Sequence, residues 1–131
     1  MATTRTASAH WEGTLMEGAG QVTLETSGVG TFDLTWRSRA EQAEGRTSPE
    51  ELIGAAHAGC FSMALSNGLA KAGTPARALD TRAEVGFQPG VGITGITLTV
   101  RADVPGISAE EFAAQAETAK NECPVSRALA G

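Results

Sequence analysis

The 131-residue sequence contains no tyrosine, and four phenylalanines with two tryptophans bring its aromatic fraction to only 5%. A core without aromatic bulk must be filled by Ala, Val, Leu and Ile, closely packed. Positive charge is also short: ten Lys and Arg against fifteen Asp and Glu leave a net charge of −5. That balance excludes the basic face a nucleic-acid backbone requires, so no nucleic-acid partner is expected. No stretch approaches the ~18 uninterrupted apolar residues of a membrane span, so no membrane partner is expected either. Met1 to His10 holds no apolar segment of the signal-peptide kind. There are only two cysteines, Cys60 and Cys123. With no secretory signal, the expected compartment is the reducing cytosol, where paired thiols are catalytic or redox-sensing more often than structural.

What remains is an ordinary globular composition, 41% hydrophobic and 19% charged, with sixteen glycines. A chain of this length buries about two thirds of its unfolded surface, enough for one core, so a single domain over 1–131 is expected. Its first third reads as strands and turns. His10-Trp11-Glu12-Gly13 and Gln21-Val22-Thr23-Leu24-Glu25 are extended, with Gly18 and Gly20 between them. Phe32, Leu34 and Trp36 then alternate with polar residues, a half-buried strand by its period of two, continued by Arg39. Ser48-Pro49-Glu50-Glu51 opens a helix: Ser48 as N-cap, Pro49 at the first helical position, Glu51 closing a capping box. The helix should end near Lys71, before Gly73 and Pro75. From Leu52 to Leu65 it is apolar or small almost all round, which predicts burial on every side. Two strands follow, carried by Thr81, Ala83, Val85 and Phe87 and by Ile96, Leu98, Val100, Ala102 and Val104. Ser108-Ala109-Glu110-Glu111 starts a second capped helix to about Asn121, and Pro124 to Leu129 is a last helical turn. The predicted class is α+β, with antiparallel sheets around a long buried central helix.

The chemistry resides in few side chains. An ordinary thiol is only about 3% ionised at neutral pH, and burial lowers that further. Cys60 lies about three turns into the long helix, beyond the reach of its N-terminal dipole. A reactive Cys60 therefore needs a cation within ~4–6 Å. Arg37 and Arg39, just upstream, are the candidates, and the pattern does not choose between them. Cys123 precedes Pro124 at a helix start, where a thiolate is favoured. Glu50 has no capping duty, which frees it to fork an arginine or to complement the helix dipole at the surface. His57, three residues before Cys60, shares its helix face and could be its base, but a histidine hydrogen-bonded in the core or at a subunit contact is the expected reading. A zinc site from Cys60, Cys123, His57 and His10 would lack the short Cys-Cys knuckle that pins such geometry, so no metal and no cofactor are expected. Cys60 as a packing residue of a non-enzymatic, ligand-binding dimer is the competing reading, and an acyl-transfer site from Cys60 and His57 a third.

The run Thr47-Ser48-Pro49-Glu50-Glu51-Leu52-Ile53-Gly54-Ala55-Ala56-His57-Ala58-Gly59-Cys60-Phe61-Ser62-Met63-Ala64-Leu65 resembles the OsmC/Ohr family of thiol peroxidases. Asn121-Glu122-Cys123-Pro124-Val125-Ser126 and His10-Trp11-Glu12-Gly13 extend the likeness over nearly the whole chain, and His-Ala-Gly-Cys is similar to the OsmC branch. The resemblance implies an intertwined homodimer that reduces organic hydroperoxides at sites on the subunit interface. It implies Cys60 as the peroxidatic thiol, Cys123 as the resolving thiol and Glu50 as the carboxylate that holds a catalytic arginine. It selects Arg39 for that arginine, with Arg37 as the alternative. It further implies an external dithiol of lipoyl type as reductant, and no bound cofactor.

Overall fold

The chain runs β1 (Ala7–Glu12), β2 (Ala19–Leu24), β3 (Thr31–Leu34), α1 (Trp36–Ala40), α2 (Pro49–Lys71), β4 (Ala78–Gln88), β5 (Gly92–Asp103), α3 (Ala109–Glu122) and α4 (Pro124–Leu129) in the computed structural model, which describes residues 2–130. Two compact units divide it: residues up to 52 with 86–94, and 53–85 with the residues from 95 onward.

In the first unit, β1, β2 and β3 form an antiparallel meander, with Ala7 opposite Leu24, Glu12 opposite Ala19 and Gly20 opposite Leu34. The β1–β2 turn closes through the Gly18 N–H, which donates to the Thr14 carbonyl at 2.8 Å. A side chain at Gly18 would strike the carbonyl oxygens of Glu12 and Thr14, so only glycine closes this turn.

The strand expected to carry through to Arg39 stops at Leu34. Thr35 is an extended N-cap whose hydroxyl accepts the Ser38 N–H at 3.0 Å, while Ser38 Oγ accepts the Thr35 N–H at 2.9 Å. This reciprocal box overrides the alternation of Phe32, Leu34 and Trp36 and starts the short helix α1. The Ser38 hydroxyl also lies 2.9 Å from the Thr47 carbonyl, and the Thr47 N–H donates to the Asp33 carbonyl at 2.9 Å. Those bonds fix the approach to α2. On α1 Arg37 and Arg39 stand about 200° apart around the axis, so they do not share the face a strand would have given them.

Helix α2, 23 residues or roughly 34 Å long, begins as Ser48 predicts: its hydroxyl accepts the Glu51 N–H at 3.1 Å. Glu51 completes the cap differently from expectation, by accepting from the Thr47 hydroxyl at 2.6 Å. At the far end Gly73 takes φ 87° and the Thr74 N–H returns to the Leu69 carbonyl.

In the second unit Phe61, Leu65 and Leu69 of α2 meet Ala119 of α3 and Cys123 in a buried cluster. Leu79 from β4 and Leu98 and Val100 from β5 pack against it, as the two-residue alternation of those strands predicts. The expected all-round burial of α2 is not what this chain provides. Ala55, Ala56, Gly59 and Met63 form an exposed stripe, with Met63 76% exposed. The chain covers one face of the helix and leaves small and apolar side chains on the other exposed.

Helix α3 is capped by Ser108, whose oxygen accepts the Glu111 N–H at 3.1 Å while its hydroxyl donates to the Glu111 carboxylate at 3.0 Å. Cys123 then serves twice. As C-cap of α3 it donates its N–H to the Ala119 carbonyl, and as N-cap of α4 its sulfur accepts the Ser126 N–H at 3.5 Å.

Candidate active site

Folding brings the two cysteines together. Cys60 Sγ on α2 and Cys123 Sγ at the α3–α4 junction are 2.9 Å apart, both as free thiols. Nothing local in the sequence links them; the shared cluster of α2 and α3 does. Their exposures differ: Cys123 is fully buried, whereas Cys60 is half-buried.

Arg39 and Glu50 also meet. Arg39 Nε donates to both Glu50 oxygens at 3.0 and 3.2 Å, and Nη2 donates to Oε2 at 2.9 Å. The Glu50 side chain is only 7% exposed and the Arg39 side chain 33%. Beneath the guanidinium lies the Phe87 ring, 4.3 Å from its carbon to the ring centroid. Phe87 is held edge-on by Trp36 at 5.8 Å and 85°. A fork plus a stacked ring leaves the guanidinium little freedom, a geometry lysine would not reproduce. Arg37 has a different fate: it pairs with Glu44 at 3.1 Å, both well exposed. Trp36 and Phe87 had looked like strand packing residues in the sequence, and only the placement of Arg39 makes their role visible.

His57 does not face Cys60 as a base. Its Nε2 lies 2.6 Å from the Ser126 hydroxyl on α4. Burial pushes its pKa down, so the ring is neutral. His10 sits exposed on β1 beside Glu12, 3.4 Å away. Among the described residues, no three His, Cys, Asp or Glu side chains converge as a metal site demands.

The family model for OsmC-like protein matches residues 41–131. The chain belongs to the OsmC family. It is 44% identical over 124 residues, 92% of this chain and 86% of the relative, to Peroxiredoxin OsmC of Escherichia coli. An organic hydroperoxide resistance protein OsmC of Legionella pneumophila superimposes with a TM-score of 0.73 at 26% identity, covering all of this chain and 92% of that one. An OsmC-like protein of Vibrio cholerae shares the fold at 15% identity, with a TM-score of 0.72 and coverage of 98% and 94%. The similarity to Peroxiredoxin OsmC makes this chain a thiol peroxidase, and its two cysteines lie in contact.

The electrostatics of that OsmC cysteine pair are unequal. Burial pushes the Cys60 thiol up, and the neighbouring Cys123 adds to the rise, opposed by the Val125 N–H. Burial acts on Cys123 in the same sense, but donors outweigh it: Cys60, the Ser126 N–H and hydroxyl, and the Val125 N–H together bring Cys123 below its usual range. The first proton lost belongs to the pair.

Proposed function

We propose that this OsmC-family protein reduces organic hydroperoxides, with Cys60 attacking and Cys123 resolving. The observation that carries the reading is the 2.9 Å approach of a solvent-reaching thiol to a buried one. The Cys60 thiolate attacks the outer peroxide oxygen; the O–O bond breaks and the alkoxide leaves, taking a proton to become the alcohol. Cys60 is now a sulfenic acid. The Cys123 thiolate attacks that sulfur, the S–O bond breaks, and hydroxide takes a proton and departs as water, leaving a Cys60–Cys123 disulfide. An external dithiol of lipoyl type returns both thiols by exchange and is itself oxidised. The family resemblance gives Arg39 the role of cation for the Cys60 thiolate, and the fork to Glu50 and the stack on Phe87 support it as a guanidinium held in a fixed orientation. A cytosolic location is proposed with this cycle, since a reducing compartment is where such a thiol pair is redox-active more often than structural.

One mass measurement tests the cycle. After one equivalent of cumene hydroperoxide the wild type should lose two hydrogens, and Cys123→Ser should retain one oxygen on Cys60. If neither mass changes, Cys60 is an inert packing residue and the reading is wrong.

The protein is further proposed to be a homodimer, supported by the exposed Ala55–Ala56–Gly59–Met63 stripe, whose small residues allow a second helix close approach. Light scattering should give twice the chain mass for the wild type and a shift towards the single-chain mass for Met63→Asp. An unshifted variant would remove this stripe from the interface.

A further inference from the structure

The buried histidine is unused by the cycle above, and one of its ring nitrogens is unexplained. His57 is 7% exposed, and its Nδ1 is buried with no hydrogen-bond partner. Its other nitrogen is 2.6 Å from the Ser126 hydroxyl, and Ser126 in turn approaches the Cys123 sulfur. We propose that His57 is a positioning residue for the resolving step: it donates from Nε2 to Ser126 and so commits the Ser126 hydroxyl proton to the sulfur of Cys123. The proposal deepens the peroxidase reading, since it rests on Cys123 as the resolving thiol.

Counting protons carries the inference. A neutral imidazole has one N–H, and burial keeps this ring neutral. If that proton were on Nδ1, a buried N–H would have no acceptor, and Nε2 would draw the Ser126 proton away from the sulfur. With the proton on Nε2, the orphan is only a lone pair, the less rare of the two defects in folded proteins. The Ser126 oxygen then accepts from His57, and its single proton is free for Cys123. The Ser126 N–H donates to that sulfur at 3.5 Å, which puts the hydroxyl of the same residue beside it, and both lower the Cys123 pKa. A serine hydroxyl otherwise rotates to whichever acceptor is nearest, so the histidine decides where it points. The consequence is a standing fraction of Cys123 thiolate, the form that attacks the Cys60 sulfenic acid.

Two measurements test this without peroxide, so failure here and failure of the mass experiment are read separately. The first is the tautomer in the wild type: imidazole nitrogen NMR should show His57 protonated at Nε2 and bare at Nδ1. Protonation at Nδ1 overturns the proposal. The second is the thiolate ultraviolet absorbance of Cys123, titrated in a Cys60→Ser background. The ionisable groups that meet Cys123 are Cys60, removed in that background, and His57 through Ser126. Lys120, Glu122 and Arg127 beside the junction are exposed and common to every variant. Ser126→Ala and His57→Leu should each move the midpoint up by about one pH unit, the scale of one hydrogen bond to a charge. His57→Gln, whose terminal amide can donate in place of Nε2, should return it towards the parent value. A midpoint unmoved by His57→Leu, or raised equally by His57→Gln, reduces His57 to a packing residue.

Discussion

Cys60→Ser should abolish peroxide reduction, with the rate on cumene hydroperoxide falling at least about a thousandfold, to that of buffer. The substitution exchanges one atom, and the loss has two separate causes. A serine hydroxyl does not ionise in the range where a thiol does, so the nucleophile is gone. Oxygen also cannot enter the sulfenic state through which the peroxide oxygen is passed on. Stability should hardly change, because a hydroxyl at position 60 still faces Cys123 across the 2.9 Å gap and can bond to it. Thermal melting of the variant alongside the assay separates lost chemistry from lost fold. Activity retained in Cys60→Ser would move the chemistry elsewhere.

The pH dependence of the first turnover follows from the same pair. Burial and then Cys123 push Cys60 up, so its thiolate is scarce at neutral pH and grows as pH rises. Cys123→Ser removes one of the raising causes. Its single-turnover rate should therefore reach half-maximum at a lower pH than the wild type, even though the disulfide no longer forms.

Much of this was legible from residues alone, where the signal is local. Ser48-Pro49 and Ser108 mark helix starts, Gly73 a helix stop, and the two-residue alternation of Thr81 to Phe87 and Ile96 to Val100 marks half-buried strands. The error at Arg39 was also local. Two signals overlap there, the alternation Phe32-Leu34-Trp36 and the cap Thr35-x-x-Ser38, and the cap wins because it satisfies backbone donors at once. His57 is the buried, hydrogen-bonded histidine that was expected ahead of a base for Cys60, but the partner that engages its ring, Ser126, comes from α4 and has no signal in the spacing. The exposed stripe of α2 was hidden for a different reason: an all-round apolar composition does not tell which face of the helix the rest of the chain covers. The meeting of Cys60 with Cys123 has no signal in the spacing at all and entered only through resemblance.

Arg39→Met should slow Cys60 oxidation by about tenfold or more, whereas Arg37→Met should leave it within about twofold. On the proposed role Arg39 is the cation brought to the reacting thiolate, and an opposite charge brought to an ionising group shifts its pKa by roughly one to three units. Arg37 and Glu44 are an exposed pair of the kind worth little in water. Arg39 is forked by a buried carboxylate and stacked on Phe87, so its charge is fixed in direction as well as in amount. Removing Arg39 alone, however, strands the Glu50 charge, which can cost about 3–5 kcal/mol of stability. The decisive comparison is therefore with the double variant Arg39→Met/Glu50→Gln, in which no buried charge is left over. If the double variant regains stability but stays slow, the arginine acts on the reaction rather than on the fold. Arg39→Lys adds the last distinction: it keeps the charge and loses the fork, so an intermediate rate assigns part of the effect to orientation. Full speed in Arg39→Met with a slow Arg37→Met would transfer the role to Arg37.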